Sequence, residues 1–384
     1  MGVSVRFRDG GAAGACRVLA LAAVLTGLWC VLPSALAAAG SVQVAIVGPM
    51  SGTSSAVGMQ YRVGVSAALK SLPGGLLLGR EVKIGLHDDS CNPTIAESVA
   101  HEIASQPPAV VIGHSCSGAT VAGAPIYAGK EILQISPASS SPKVTELGIP
   151  TIFRMIGRDD LQGRLAAERI AARHAGKKAG VLFFPNAYSS GLAKTAIEAM
   201  RSLDVVPVAE IQATASAASY AAEIMELKSR GVEVLYLVGG GLDCGIFLRQ
   251  ARQMGAGFAV IGSDTMVLDV FVKAAEGAAD GVPFTFPPEA ARLPSAAAAV
   301  DAIRGMGQEP AGYTLLAYAA AQVWIEGVER AQSFEAGKVA GAIRGKPVRT
   351  ILGEVSFDGR GDIVTPYQAF GWYAWKDGER APID

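Results

Sequence analysis

VVIGHSCSGATVAG, residues 110–123, decides the fold, because an apolar run typical of a buried strand enters a Ser, Cys and Gly turn and then a helix-compatible stretch. The polar turn has two interpretations. As a nucleophile on a strained turn, Ser115 predicts an enzyme. As one wall of a ligand pocket, Ser117 predicts a binding protein. The residues outside this stretch decide between the two classes.

Strand and helix patterns alternate on both sides of this stretch. Strands are predicted at residues 42–48, 81–89, 109–114 and 131–141, with helices at 60–72, 94–105 and 119–130 between them. The pattern then restarts, with strands predicted at 178–186, 205–213, 232–240 and 258–264 and helices at 189–202, 217–230 and 244–255. Such alternation is typical of parallel sheets covered by helices on both faces. The sequence therefore predicts two α/β units in tandem, with a ligand in the crevice beyond the carboxyl ends of the strands.

The N-terminus has the features of a secretory signal peptide. Arg6, Arg8 and Arg17 precede an apolar run, and the small residues after it offer a cleavage site after Ala37. We predict that residues 1–37 are a cleaved signal peptide and that the mature protein is periplasmic. A retained membrane anchor is the alternative, because the run is nearly long enough to span a bilayer.

Charge and length exclude some classes of function. The chain has 33 Lys and Arg against 34 Asp and Glu, and a net charge of -1. This balance supplies no basic surface for nucleic acid, and we expect no nucleic-acid partner. The 384 residues exceed what one ordinary core accommodates, so two domains are predicted. We expect a monomer.

Cysteine positions predict one disulfide. Removal of the signal peptide leaves Cys91, Cys116 and Cys244, and an oxidising compartment favours a bridge among them. Cys91 and Cys116 each follow a predicted strand, and the two strands are neighbours at one edge of a sheet. We therefore predict a Cys91–Cys116 disulfide, with three unpaired thiols as the alternative, and a buried free thiol at Cys244. No histidine lies at ligand spacing from a cysteine pair, so no metal site is expected.

The enzyme interpretation lacks its partners. Ser117 occupies the position of the closing glycine in a G-x-S-x-G turn, and the last histidine, His174, leaves no base in the order that hydrolases of this fold require. No zinc-protease, phosphate-loop or complete dinucleotide motif follows a strand. We therefore expect no enzymatic activity and no cofactor.

Several segments carry a specific resemblance. They are VAIVGPMSG, HDDSCNP, VIGHSCSGAT, IYAGKEILQISPASS, YSSGLA, LRQARQMG, GSD and YAAAQVWIEGVERA. From about Ser41 to Gly378, the chain resembles the leucine/isoleucine/valine-binding proteins, the exported substrate-binding components of ABC transporters. The resemblance implies the α/β fold of type I periplasmic binding proteins, in which two Rossmann-like lobes with parallel-sheet cores are joined by a three-strand hinge.

The resemblance also implies how the lobes are assembled. The first lobe would combine residues 41–158 and 285–360, and the second residues 159–284 and 361–384. FRMIGRDD, VPFTFPP and GRGDIVTP are the candidate crossovers. Such a protein closes by hinge motion around a small molecule, and an ABC permease in the inner membrane recognises the closed form.

Three residues of the first lobe match the family's ligand contacts. Ser117 matches the serine that binds the ligand carboxylate, with a plain helix N-cap as the alternative. Ser140 would donate to the same carboxylate. The Ala138 carbonyl would accept from an α-ammonium group.

Asp264 matches the acidic residue that pairs with the ligand's ammonium group. The alternative is an N-cap for a helix predicted near residues 266–275. Aspartate is shorter than the glutamate of the branched-chain binders, which implies a shifted or water-mediated contact. Tyr188 and Tyr313 match site aromatics of the second and first lobes, with ordinary half-buried core as the alternative.

Two positions depart from the family. Gly240 stands where the branched-chain binders have a tyrosine, and Val57 stands where an aromatic residue is common. The hypothesis is a ligand bulkier than leucine or differently shaped, such as an aromatic or polar amino acid. The leading class is a transport receptor for an amino acid or related small carboxylate. The other is a sensor or regulator that binds an amide, urea or aromatic acid, although Asp264 favours a ligand with an amino group.

Overall fold

The structure is a computed structural model that describes residue 1, residues 40–365 and residues 369–384. The predicted signal peptide and its cleavage site, apart from Met1, lie outside the described residues. Among the described helices, none is both long and apolar enough to span a bilayer.

A first sheet is built from the N-terminal third of the described chain. Its strands are β1 Val42–Gly48, β2 Leu76–Leu77, β3 Arg80–Asp88, β4 Val110–Ile112, β5 Leu133–Ser136 and β6 Ile152–Arg154. Their order is β2-β3-β1-β4-β5-β6, and all neighbours are parallel except β2 and β3. The central strands are continuous apolar runs because both faces of the sheet are covered.

Helices connect these strands. They are α1 Ser55–Lys70, α2 Pro93–Ser105, α3 Ser117–Ala128 and the short α4 Lys143–Glu146. Asn92 starts α2 by accepting hydrogen bonds from the backbone N–H groups of Thr94 and Ile95, and Pro93 occupies the first helical position, where no N–H is needed. The predicted alternation is therefore confirmed in this part of the chain.

The predicted disulfide is present beside this sheet. Cys91 and Cys116 are bonded, with their Cα atoms 5.4 Å apart and a sequence separation of 25 positions. Cys116 immediately precedes α3, so the bond ties the turn after β3 to the start of that helix. Cys244 is free and buried, as predicted.

A second sheet follows along the chain. Its first strands are β7 Ala179–Phe183, β8 Ala209–Gln212, β9 Val234–Val238, β10 Ala259–Gly262 and β11 Pro283–Phe286. The accompanying helices are α5 Asp159–Arg173, α6 Ala187–Ser202, α7 Ala221–Ser229, α8 Gly241–Gln253 and α9 Asp269–Ala275. These five strands pair in parallel, which confirms the second α/β unit.

The chain then returns to the first sheet. The returning elements are α10 Ala297–Gly305, α11 Thr314–Ala331, α12 Ala336–Gly345 and the hairpin strands β12 Val348–Thr350 and β13 Gly353–Val355. The helices α11 and α12 contact β4 and β5, and α11 packs along α1. Gly64 permits this close approach, because a Cβ there would lie 2.2 Å from the Thr314 carbonyl oxygen.

Two last strands complete the second sheet. They are β14 Gly371–Lys376 and β15 Glu379–Ile383. The full order is β15-β14-β11-β10-β9-β7-β8, with β14 and β15 added antiparallel at the edge. We call β1–β6, α1–α4, α10–α12 and β12–β13 the first lobe, and α5–α9, β7–β11 and β14–β15 the second lobe.

In the described part of the chain, three segments connect the two lobes. They come after β6, after β11 and after β13. The first and third are bonded to each other, because Arg154 pairs with Asp362 through Nε at 2.5 Å and the Arg154 backbone N–H donates to the Gly361 carbonyl at 3.0 Å. Gly361 has φ +94°, and a Cβ there would collide with the Ile152 carbonyl, so this crossing needs glycine.

Candidate functional site

The loops at the carboxyl ends of both sheets bring most of the predicted residues to the junction of the lobes. Ser117 begins α3 after β4, Ser140 follows β5, and Asp264 follows β10. Tyr188 lies in the first turn of α6, and Tyr313 immediately precedes α11. This is the edge of parallel sheets where ligands bind in α/β proteins.

Asp264 is held by a tyrosine from each lobe. Its Oδ1 accepts a 2.5 Å hydrogen bond from Tyr188 in the second lobe, and its Oδ2 accepts a 2.8 Å bond from Tyr313 in the first. Asp264 is only 2% exposed and Tyr313 only 4%. Both tyrosine hydroxyls therefore bind the carboxylate, while their rings also pack against the hydrophobic core.

Asp264 does not cap a helix. It begins a short 3-10 turn, and α9 starts five residues later with Leu268 as its N-cap. No side-chain hydrogen bond caps either element. The structure therefore gives no support to the N-cap interpretation of this aspartate.

Gln162, which the sequence did not single out, links the site to both adjoining connections. Its Oε1 accepts from the backbone N–H of Asp264 at 3.0 Å and from the Thr285 hydroxyl at 2.6 Å. Its Nε2 donates to Oδ1 of Asp159 at 3.1 Å. Gln162 thus joins α5, the turn after β10 and strand β11 through one buried amide.

Two carboxyl groups are buried at this point. Burial raises the pKa of Asp264, against the hydrogen bonds of its tyrosines and Gln162, which lower it. Burial and, next, the charge of Asp264 raise the pKa of Asp159 well above its ordinary range. Within the described residues, neither carboxyl forms an ion pair with Lys, Arg or His. The described part of the site thus supplies two carboxyl groups without an ion-paired cation.

Ser117 is the first residue of α3, and its neighbour Cys116 occupies the N-cap position. The Ser117 hydroxyl is buried and accepts a 3.3 Å hydrogen bond from the backbone N–H of Ser141. It therefore does not act as the cap that we considered as an alternative. A hydroxyl that accepts one bond still has its own proton to donate.

Ser140 and Ala138 belong to the buried loop after β5. The Ser140 carbonyl accepts from the backbone N–H of Asp159 at 2.9 Å, which connects the first lobe to the start of α5. The Ser140 hydroxyl is buried without a hydrogen-bond partner in the described part of the chain. Ala138 is 8% exposed.

Val57 and Gly240 are not brought to Asp264 by any contact among the described residues. Val57 is buried in the core of the first lobe. Gly240 is exposed at the N-cap of α8, and a Cβ there would meet only Asp243 Oδ2, at 4.0 Å. The neighbouring Gly239 carbonyl accepts from Thr265, next to Asp264. The space at Gly240 is therefore open to a larger side chain.

Among the described residues, the hydrogen bonds of His114 give no support to a serine nucleophile at Ser115. Both ring nitrogens of His114 are occupied, Nδ1 by Asp89 Oδ2 at 2.6 Å and Nε2 by the Tyr127 hydroxyl at 3.0 Å. The Ser115 hydroxyl donates to the Cys116 sulfur, at 3.8 Å. His114 therefore supports the disulfide-bearing turn and cannot activate Ser115.

Comparisons with known proteins agree with this architecture. Residues 41–378 match the family model of periplasmic binding proteins. A relative from Pseudomonas aeruginosa, a leucine-, isoleucine-, valine-, threonine- and alanine-binding protein, is 30% identical over 349 residues, which are 90% of this chain and 93% of that protein.

Two solved structures with the same fold concern different small molecules: one protein is named for leucine, and the other was solved in complex with benzoate. A leucine-binding protein from Thermotoga maritima superposes with a TM-score of 0.82 at 24% identity, over 89% of this chain and 98% of that one. An ABC-transporter solute-binding protein from R. palustris in complex with benzoate gives a TM-score of 0.80 at 20% identity, over 90% and 96% of the two chains. The chain belongs to the periplasmic binding protein family, and within it resembles the leucine/isoleucine/valine-binding proteins.

Proposed function

We propose that this protein is the exported receptor of an ABC transporter and that it captures an amino acid or related small carboxylate between its two lobes. The observation that carries the proposal is the buried Asp264 carboxylate, which a tyrosine of each lobe binds and no described cation neutralises. A buried unpaired carboxylate is costly, so the ligand's ammonium group is its natural partner.

The ligand carboxylate would bind the first lobe. Ser117 lies at the N-terminus of α3, where backbone N–H groups and the helix dipole favour an anion. The unpartnered Ser140 hydroxyl is a second donor, and the Ala138 carbonyl accepts from the ammonium group. The two ends of one zwitterion then hold the lobes together.

Closure of the lobes is the proposed signal. A ligand that contacts both lobes favours the closed form, and an inner-membrane ABC permease recognises that form. The predicted signal peptide and family membership support export to the periplasm and this partner. We propose a monomer with lobe boundaries near residues 158, 284 and 360, and no nucleic-acid partner.

The identity of the amino acid is the finer part of the proposal. The Pseudomonas aeruginosa relative is named for aliphatic amino acids and threonine, which supports an α-amino acid ligand. The open space at Gly240, next to the Gly239 carbonyl that accepts from Thr265, supports a ligand bulkier than leucine or differently shaped.

A sensor or regulator that binds an aromatic acid, amide or urea is the second candidate. It is favoured by the fold shared with the benzoate-bound protein. An aromatic acid without an amino group would leave Asp264 unpaired, and this argues for the amino acid.

A thermal-shift screen of the twenty standard amino acids, aromatic acids and short amides tests the proposal. A compound at 100 times its Kd contributes about 2.7 kcal/mol to the free energy of unfolding. We expect one or a few amino acids to raise the Tm. Stabilisation only by compounds that lack an amino group would overturn the role of Asp264 and favour the second candidate.

A further inference from the structure

Asp159 has an unused hydrogen-bonding position at the centre of the site. It is the first residue of α5, fully buried, and its Oδ1 accepts from Gln162. Its Oδ2 has no partner in hydrogen-bond geometry among the described residues, although the Ser140 hydroxyl lies close enough to lower the pKa of Asp159. A buried carboxylate oxygen without a donor is rare in folded proteins and indicates a missing partner.

Two further groups nearby lack partners in the described part of the chain. They are the hydroxyls of Ser140 in the first lobe and Tyr236 on β9 in the second, and both residues are at most 1% exposed. Ser140 also contacts the start of α5 through its carbonyl. Burial raises the pKa of Tyr236, and the charges of Asp159 and Asp264 raise it further, so its hydroxyl lies within the electrostatic influence of both carboxyls. Hydroxyl groups without a hydrogen-bond partner thus lie near the Asp159 carboxyl in both lobes.

The charged and titratable groups around Asp159 leave its charge uncompensated. Asp264 faces it from the turn after β10, and Arg154 faces it from β6. The guanidinium of Arg154 is committed, through Nε to Asp362 and through Nη1 to the carbonyls of Ser139 and Ser141. The other titratable groups that face it are the tyrosines 188, 236 and 313, whose pKa values are all raised.

We propose that Asp159 is a second cation-binding residue of the site, and that Asp159 and Asp264 share one proton until the ammonium group of a ligand replaces it. This inference rests on the proposed function and deepens it. The Gln162 amide binds the Asp159 carboxyl and the backbone N–H of Asp264, so the two buried residues are neighbours, and two neighbouring buried carboxyls do not both ionise readily without a cation. When the ammonium group enters, the carboxyl O–H bond breaks, the proton passes to solvent, and both carboxylates face the cation.

Replacement of the shared proton by the ligand's ammonium group determines whether ligand affinity rises or falls with pH. In the unliganded site, burial raises the pKa of both carboxyls. An adjacent ammonium group lowers both pKa values, so binding releases the shared proton. Affinity therefore increases with pH between the lower pKa values of the liganded pair and the higher values of the unliganded pair.

Titration calorimetry in two buffers of different ionisation enthalpy measures this release directly. The probes are those standard amino acids that raise the Tm in the screen, each paired with its analogue that lacks the α-amino group. We expect proton release for each amino acid bound at pH values between the pKa of the liganded pair and that of the unliganded pair, and none for the analogue. Amino acid binding without proton release would overturn the shared proton.

Asp159→Asn tests the residue itself, and Asp269→Asn is the matched control. Asp269 is also the first residue of its helix, α9, but it is exposed. We expect Asp159→Asn to weaken amino acid binding about tenfold or more and to abolish proton release, with Asp269→Asn unchanged. Affinity within twofold of wild type in Asp159→Asn would overturn the role of Asp159.

Three outcomes are distinguishable. If Asp159→Asn does not fold, the proton count of the wild-type protein still decides whether a proton is shared. If amino acids bind the wild-type protein without proton release, or bind Asp159→Asn as tightly as the wild-type protein, the inference fails and the proposed function stands. If none of the twenty amino acids binds, the inference and the amino acid part of the proposed function both fail, and binding of another small carboxylate in the screen would leave the receptor role standing.

Discussion

Tyr313, which precedes α11 in the first lobe, donates a 2.8 Å hydrogen bond to Oδ2 of Asp264, which follows β10 in the second lobe. The bond joins two residues 49 positions apart in sequence and is buried. Because it crosses between the lobes, it forms only when they approach each other. The position of the Asp264 carboxylate and the closure of the lobes are therefore coupled.

Replacing Tyr313 with Phe should remove this bond and keep the ring. A hydrogen bond to a charged group contributes about 1.5 to 3 kcal/mol, so we expect amino acid affinity to fall roughly tenfold or more. Calorimetric titration measures the change. Tyr318→Phe, in the same helix and also buried, is the control. An equal loss in both variants would contradict a specific role for Tyr313.

Replacing Ser117 with Ala should weaken ligands that carry a carboxylate by about 1 to 3 kcal/mol, because the donor at the α3 N-terminus is lost. The same variant should bind the matching decarboxylated amine as well as the wild-type protein does. Affinities from calorimetry decide the point. Unchanged affinity for the amino acid would remove Ser117 from the carboxylate site.

Replacing Gln162 with Leu should destabilise the fold. Its amide satisfies the Asp264 N–H, the Thr285 hydroxyl and the Asp159 carboxyl, and each buried group left without its partner costs about 1 to 3 kcal/mol. Urea unfolding should show the loss, with exposed Gln308→Leu as the control. A variant as stable as the wild-type protein would argue against the bridge.

Reduction of the disulfide should lower the Tm. Opening the Cys91–Cys116 loop of 25 residues removes about 2 to 4 kcal/mol of stabilisation, on the chain-entropy account. The double variant Cys91→Ser, Cys116→Ser should melt at the temperature of the reduced wild-type protein and no longer respond to reductant. Identical melting of the oxidised and reduced wild-type protein would contradict the bond.

As pH rises, the free energy of unfolding of the unliganded wild-type protein should fall relative to that of Asp159→Asn. The raised pKa of Asp159 means that the folded chain binds its proton more tightly than the unfolded chain. Its contribution is therefore present below the ordinary aspartate pKa and is lost as pH rises through the folded value. Urea unfolding across this range measures the difference, which should be absent between wild type and Asp269→Asn. A constant difference for Asp159→Asn would show that Asp159 does not titrate in this way.

The parallel sheets could be predicted because their strands are continuous apolar runs separated by helix patterns. The strand at Val42–Gly48 and the strand at Val234–Val238 lie where the sequence places them. The antiparallel strands Gly371–Lys376 and Glu379–Ile383 were not predicted. Gly371–Lys376 pairs with β11, about 90 residues earlier, and Glu379–Ile383 pairs with Gly371–Lys376, and the short mixed pattern of these strands gives no sign of the distant partner.

Of the two buried carboxyl residues of the site, only one could be predicted from the sequence. Asp264 ends a strand and matches a family position, so sequence indicated it. Asp159 and Gln162 lie in a crossover, and Gln162 finds its partners 102 and 123 residues away, so their relationship is tertiary. One signal was available: an acid and an amide three residues apart at the start of a helix share a face. The roles of Gly240 and Val57 stay predictions.

A crystal structure of the protein with its amino acid ligand tests the central claim most directly. The account predicts the ammonium group within hydrogen-bonding distance of the Asp264 carboxylate, and the ligand carboxylate on Ser117 and the α3 N-terminus. A ligand bound away from both residues, or one oriented with its carboxylate toward Asp264, would contradict it.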